Sequence, residues 1–323
     1  MAGRQLKDIM RAFRARDEVS FRRAALELIE EQEARHHFAL ARDMRALLAS
    51  GGGPADSTPQ LELPEPPKAS DGSWDLIDVH EPALTLDDLV LDSATEALFA
   101  EVVLEAHKVD LLESAGIAPR RRFLFTGPAG TGKTSAAEAL ARELSWPVAK
   151  VSVESVVSSY LGETATNLRR VFEFAAASRV VLVFDEFDAL GRARDDSTEH
   201  GEIKRVVSSF LQFLEKHRGP SIIVAITNYP DLLDFALWRR FEEVINFGLP
   251  SVHQLRQLLR KRSRSMRPRG FDVEATASSL RGLPHAAAER FVMDLRRQQI
   301  LTDKAVSPEM ATEVLKSIQH RPW

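Results

Sequence analysis

The sequence predicts an α/β chain: a parallel sheet covered by helices on both faces, with a small helical unit before it and a helical lid after it. Three observations predict this. From about residue 84 to Pro250, short β-rich runs alternate with helical stretches, the pattern of strands joined by right-handed helical crossovers. Most of these runs, 122–126, 148–153, 180–184, 222–226 and 244–247, are continuously apolar rather than alternating, as strands buried on both faces are. Beyond Pro250 the β signal stops, and 255–264, 286–301 and 308–318 read as helices.

Taken in order, residues 1–49 come first, as a helical hairpin. The stretch 4–49 is polar, charged and free of proline, with Phe21, Ala25, Leu28 and Ile29, then Leu40, Met44, Leu47 and Leu48 at helical spacing. Asp17 or Ser20 is placed to cap the second of two helices. It is either a plain hairpin with a solvated face or a docking module for a partner or substrate; because a hairpin this small buries little surface alone, it is expected to pack on something. Residues 50–72, rich in Gly, Pro and Ser, read as a flexible linker. Residues 73–250 form the α/β core and 251–323 the lid.

Bulk properties exclude several classes. A net charge of −4 over 323 residues gives no global field for nucleic acid. The absence of cysteine removes disulfides, thiolate metal sites and cysteine nucleophiles, and fits a reducing cytosol. No stretch approaches the roughly 20 apolar residues of a membrane span. The expectation is a cytoplasmic protein with no membrane association.

The strongest local signal is residues 127–134, Gly-Pro-Ala-Gly-Thr-Gly-Lys-Thr, between the strand 122–126 and a helix over 135–144. This G-x-x-x-x-G-K-T pattern needs that strand–loop–helix context. Glycines let the backbone curl so that successive N–H groups face phosphate oxygens, and the helix N-terminus adds partial positive charge. Gly127, Pro128, Ala129, Gly130, Thr131, Gly132, Lys133, Thr134 and Ser135 are therefore the candidate nucleotide-binding residues. Lys133 supplies a full charge to the β- and γ-phosphates, and the Thr134 hydroxyl is a hard oxygen ligand for Mg²⁺.

About fifty residues on, the apolar run 180–184 ends in Asp185-Glu186. A buried parallel strand delivers its C-terminal residues to the ligand crevice. There Asp185 suits Mg²⁺, and Glu186 suits activation of a water aimed at the γ-phosphate. Asp188 is either part of the site or a loop-stabilising carboxylate.

With these two stations on the page, the chain resembles the AAA ATPases over about residues 84–320, and three further stations fall in order. Asn228 ends the run 222–227; the resemblance implies that it positions the attacking water, which an amide that donates and accepts can do. Arg239 and Arg240, in Leu-Asp-Phe-Ala-Leu-Trp-Arg-Arg-Phe over 233–241, resemble arginine fingers that reach a neighbouring subunit's nucleotide. Tyr160 and Leu161, in Ser-Tyr-Leu-Gly-Glu over 159–163, resemble a pore loop that grips polypeptide. The charged loop 192–202 is either a second pore or subunit contact or a solvated loop. Where many members carry Gly-Ala, this chain has His285-Ala286, and no role is assigned to His285.

The resemblance implies ATP and Mg²⁺ as cofactors, a homo-oligomeric and most simply hexameric ring, and hydrolysis that drives remodelling, unfolding or disassembly of protein substrates through a central pore. The alternative is an ATP-dependent switch or scaffold that regulates a separate partner, such as a protease, without threading. A third class, a DNA-remodelling ATPase, fits the mildly acidic chain less well.

Overall fold

The computed structural model describes residues 9–14, 17–34, 38–49, 63–70, 72, 74–152, 156, 163–187, 200–232, 235–266 and 270–323. Tyr160, Leu161, Asp188 and the segment 192–199 lie outside the described residues, as do Leu233 and Asp234.

The core is a six-stranded sheet in the order β1-β3-β4-β5-β2-β6. Its strands are β1 Ile77–His80, β2 Arg122–Thr126, β3 Val148–Val151, β4 Val181–Phe184, β5 Ile222–Thr227 and β6 Glu243–Asn246. Every neighbouring pair is parallel except β1–β3. β4 and β5 are buried at every position, which accounts for their unbroken apolar runs.

The helices follow as α1 Glu18–Ala34, α2 Phe38–Ala49, α3 Ser93–His107, α4 Val109–Ser114, α5 Lys133–Leu144, α6 Glu163–Ala177, α7 His200–Lys216, α8 Phe235–Trp238, α9 Val252–Arg262, α10 Val273–Ser279, α11 His285–Thr302 and α12 Pro308–Gln319. Two apolar clusters cover the two faces of the sheet. One gathers Phe172, Phe184, Phe187 and Phe210. The other gathers Phe99, Phe125, Leu140 and Phe247. A third, around Leu255, Leu259, Phe291 and Leu295, belongs to α9–α12, so the C-terminal helices hold a core of their own.

At the N-terminus, residues 9–14 are helical, Asp17 caps the next helix, its Oδ1 accepting from the Ser20 N–H at 3.1 Å, and a separate helix starts at Phe38, so three helical stretches stand where two were expected. α1 and α2 pack on each other, and Arg45 on α2 forks onto Glu33 on α1. The hairpin rests α2 against α5, the helix that follows the phosphate loop.

Two further features differ from the sequence-based expectation. β1 was not foreseen, because its four residues, Ile-Asp-Val-His, lie at a sheet edge where only one face is covered. The second is in the segment read as linker. Residues 63–70, at its C-terminal end, are held on the core. Ala69 is buried in the first cluster, the Arg170 guanidinium donates to the Lys68 and Ala69 carbonyls, and the Ser70 N–H and hydroxyl donate to Asn167 Oδ1.

Candidate active site

The phosphate loop leaves β2 at Thr126 and enters α5 at Lys133. Its path is set by close approach. A Cβ on Gly127, whose φ is +133°, would stand 2.2 Å from the Phe247 carbonyl oxygen. One on Gly130, φ +72°, would stand 2.9 Å from the Ala286 Cβ of the lid. The Ala286 N–H also donates to the Gly130 carbonyl at 3.0 Å. The start of α11 is thus seated directly on the loop.

Lys133 is 5% exposed, and its Nζ donates to the Gly127 and Pro128 carbonyls, each at 2.7 Å. The Thr131 hydroxyl closes the same curl onto the Pro128 carbonyl at 2.9 Å.

β4 sits two strands from β2 and delivers Asp185-Glu186-Phe187 at its C-terminal end. The Thr134 hydroxyl donates to Asp185 Oδ2 at 3.2 Å, and the Glu186 N–H donates to Asp185 Oδ1 at 3.0 Å. Glu186 takes φ +51°, a conformation that non-glycine residues adopt at a cost and that clusters at functional sites. Phe187 holds the turn in place: its N–H donates to the Ile226 carbonyl at 2.8 Å, and its ring is buried against Phe210 and Phe241. The Glu186 side chain is left exposed at the rim.

A cleft of about 490 Å³ opens between core and lid. Its floor is Ala129–Ser135 of the loop, with Asp185, Glu186 and Asn228 at one end. Its other wall is the segment 84–91 facing Leu258, Arg262, His285, Ala286 and Glu289 of the lid. The volume suits a nucleotide-sized ligand. Segment 84–91 bridges the two bodies: Leu86, Leu89 and Leu91 pack on the sheet cluster, Val90 packs on the lid cluster, and Lys261 Nζ donates to the Leu89 carbonyl at 3.0 Å. Arg262 forks onto Glu289 Oε1 at 2.7 and 3.0 Å. Burial lowers the pKa of His285, with nearby Glu289 pulling it back up.

The residues expected from sequence divide into three sets. Gly130, Lys133, Thr134, Ser135, Asp185, Glu186 and Asn228 line one cleft, with Ala129, Thr131 and Gly132. Gly127 and Pro128 sit behind it, turning their carbonyls to Lys133. Arg239 and Arg240 do not line it. Both follow the short helix α8, and the buried Phe241 ties them to the acidic turn through its edge-on contact with Phe187. The Arg239 side chain is exposed, while the Arg240 guanidinium bridges to Glu215 on α7.

Sequence reading missed the wall 84–91, the Arg262–Glu289 pair and Lys150. Only Lys150 left a signal: a charge set inside the apolar run of β3. Its Nζ lies 3.0 Å from Asp185 Oδ2.

The donor set fits Mg²⁺ held jointly with substrate phosphates. A hydroxyl and a carboxylate converge, and among the described residues no group of three or more acidic or histidine side chains forms a separate metal cage. No helix among the described residues is long and apolar enough to cross a membrane.

A family model described as the ATPase family associated with various cellular activities (AAA) matches residues 123–249. The chain is similar to a protein of Sinorhizobium fredii named uncharacterized AAA family ATPase y4kL, at 38% identity over 288 residues, spanning 89% of this chain and 86% of that one. It is similar to the proteasome-activating nucleotidase of Pyrococcus horikoshii, at 33% over 213 residues, 63% of this chain and 53% of that one. It is also similar to the cell division cycle protein 48 homolog of Archaeoglobus fulgidus, at 36% over 171 residues, 51% of this chain and 23% of that one. The chain therefore spans about half the length of the first of these archaeal relatives and about a quarter of the second.

Proposed function

The chain belongs to the AAA family of ATPases and hydrolyses ATP, and from that premise we propose that its cleft is one half of an active site completed by a second copy, and that hydrolysis drives remodelling of protein substrates in a ring. The observation that carries this is the split among the charged residues. Lys133, Thr134, Asp185, Glu186 and Asn228 belong to one cleft, whereas Arg239 and Arg240 stand outside it at the end of α8.

In this reading the loop N–H groups and Lys133 bind the β- and γ-phosphates. Glu186, at the rim, takes the proton of the attacking water, and Asn228 holds that water by donating and accepting. Thr134 and Asp185 would hold Mg²⁺, which would neutralise charge at the phosphates. Arg239 and Arg240 of the adjacent copy stabilise charge that develops in the transition state. A head-to-tail contact of this kind closes into a ring, with a hexamer as the proposed size. Because α11 is seated on Gly130, nucleotide exchange moves the lid, and lid motion is the lever that would move Tyr160 and Leu161 against a polypeptide.

Replacing Tyr160 by Ala tests threading. Substrate unfolding should fall at least tenfold while ATP hydrolysis persists, and unfolding at the full rate would remove the pore model.

One observation favours a second reading, a switch that regulates a partner without threading. The hairpin α1–α2 rests on α5, so a partner that binds the hairpin is coupled to the phosphate loop. Relatives named for proteasome activation support a protease as that partner. A Glu186→Gln chain, holding ATP unhydrolysed, should then bind and regulate the partner as well as the wild type does. Loss of regulation in that trapped form would count against the switch.

A further inference from the structure

We propose that Lys150 is a built-in counter-cation of the metal corner, which competes with Mg²⁺ for Asp185 and moves to Asp78 when the metal arrives. This rests on the reading of Thr134 and Asp185 as the metal-holding pair.

β3 is buried at Val148, Ala149 and Val151 and exposed only at Lys150. In the sheet, Lys150 lies between two strands. On the β4 side it is in register with Val183, two residues before Asp185, and its Nζ reaches Asp185 Oδ2 at 3.0 Å. That same oxygen accepts the Thr134 hydroxyl at 3.2 Å. The ammonium therefore occupies the corner where hydroxyl and carboxylate converge. The other carboxylate oxygen is engaged by the Glu186 amide, so Oδ2 is where a cation is received.

A divalent ion drawn to Thr134 and Oδ2 meets a unit positive charge a few ångströms away, a repulsion that even partial solvent screening leaves substantial. Lys150 can give way, because its side chain is 45% exposed on a flexible stem. Its alternative anchor is built into the sheet. On the β1 side, Asp78 is its cross-strand partner in the antiparallel pair, and directly opposite residues point to the same face within side-chain reach. Asp78 is exposed, and its contact with His80 Nδ1 is a loose 3.3 Å, which leaves it able to take an ammonium. Lys150 thus sits between two carboxylates, one belonging to the metal corner and one outside it. It acts through Asp185 and so is a positioning residue.

The test is binding rather than turnover. A fluorescent non-hydrolysable ATP analogue is titrated onto the full chain at rising Mg²⁺, with an EDTA arm as the metal-free baseline. Lys150→Met should lower the half-saturating Mg²⁺ by about three- to tenfold, since a neutral side chain of similar length no longer repels the metal. Lys150→Arg, which keeps the charge, should stay within about twofold of wild type. Asp78→Asn should shift the other way, raising half-saturation by about two- to threefold, the scale of an exposed ion pair. Cooperative thermal unfolding in EDTA, read by circular dichroism for all four proteins, reports that each is folded. An unchanged or raised Mg²⁺ requirement in Lys150→Met, or an Asp78→Asn shift in the same direction as Lys150→Met, overturns the proposal. Wild-type binding that ignores Mg²⁺ altogether overturns the metal-corner reading itself and the proposal with it.

Discussion

At Glu186 the backbone adopts φ +51° while the next residue is locked into the core. The strain aims one carboxylate at the cleft and is held by Phe187. Glu186→Gln keeps the size and the turn but removes the proposed proton acceptor, so hydrolysis should fall at least ~100-fold, the usual scale of general-base loss, while nucleotide binding persists. Phosphate-release and binding assays on the same preparation separate the two. Lys133→Ala should abolish binding itself, because the ammonium organises the loop through the Gly127 and Pro128 carbonyls and is the proposed phosphate-binding charge. At this scale the sequence was legible wherever a motif fixes both residue type and neighbours: Ala129 to Ser135 of the loop, the acid pair and Asn228 all line the cleft. Lys150 and the Arg262–Glu289 pair were not legible, because their roles arise from partners 35 and 27 residues away, and spacing along the chain carries no sign of such pairing.

Among the elements, the loop and α5 carry the tightest constraints. Gly127→Ala would drive a Cβ into the Phe247 carbonyl, a backbone clash that no rotamer relieves. It should cost about 2–4 kcal/mol of stability and abolish nucleotide binding, measured by denaturant unfolding and by titration. Gly132→Ala meets no atom within 4 Å and bears only the strain of φ +97°, so it should cost less.

On α5, Glu143 is buried. Burial first, and then the charge of Asp87, push its pKa up from 4.5 to about 7. The folded chain therefore holds this proton more tightly than the unfolded chain, and stability at this contact is full below about pH 4.5 and is lost as pH rises through about 7. Glu143→Gln should raise the melting temperature at pH 8, by the equivalent of roughly 1–2 kcal/mol, and leave it nearly unchanged at pH 4.5. Thermal scans at the two pH values check the sign.

Strand prediction followed the same logic of burial. β2, β4 and β5 are wrapped on both faces and announced themselves as apolar runs. β1 is a four-residue edge strand whose pairing with β3 depends on a contact across some 70 residues of chain, which periodicity cannot reveal.

For the whole molecule, the arrangement is a sheet, a lid with its own core, and a hairpin resting on α5. The change from sheet to helices at Pro250 was readable because the pattern changes there. The seat of α11 on Gly130 and of α2 on α5 was not, because docking of one body on another leaves no period. The proposed division of the active site between copies predicts that hydrolysis per subunit falls on dilution below the assembly threshold, while nucleotide binding to the cleft survives.

The most direct test pairs two inactive chains. Lys133→Ala lacks its own phosphate site but keeps Arg239 and Arg240. Arg239→Ala/Arg240→Ala keeps the site but lacks the arginines. Each alone should hydrolyse ATP at under about 1% of the wild-type rate, the loss expected on removing a transition-state arginine. Co-assembled by co-expression, the two should recover a substantial fraction of wild-type activity, because some interfaces join an intact cleft to intact arginines. Activity in the mixture no greater than the sum of the two parts, or a double-arginine variant as active as the wild type, would contradict the shared site.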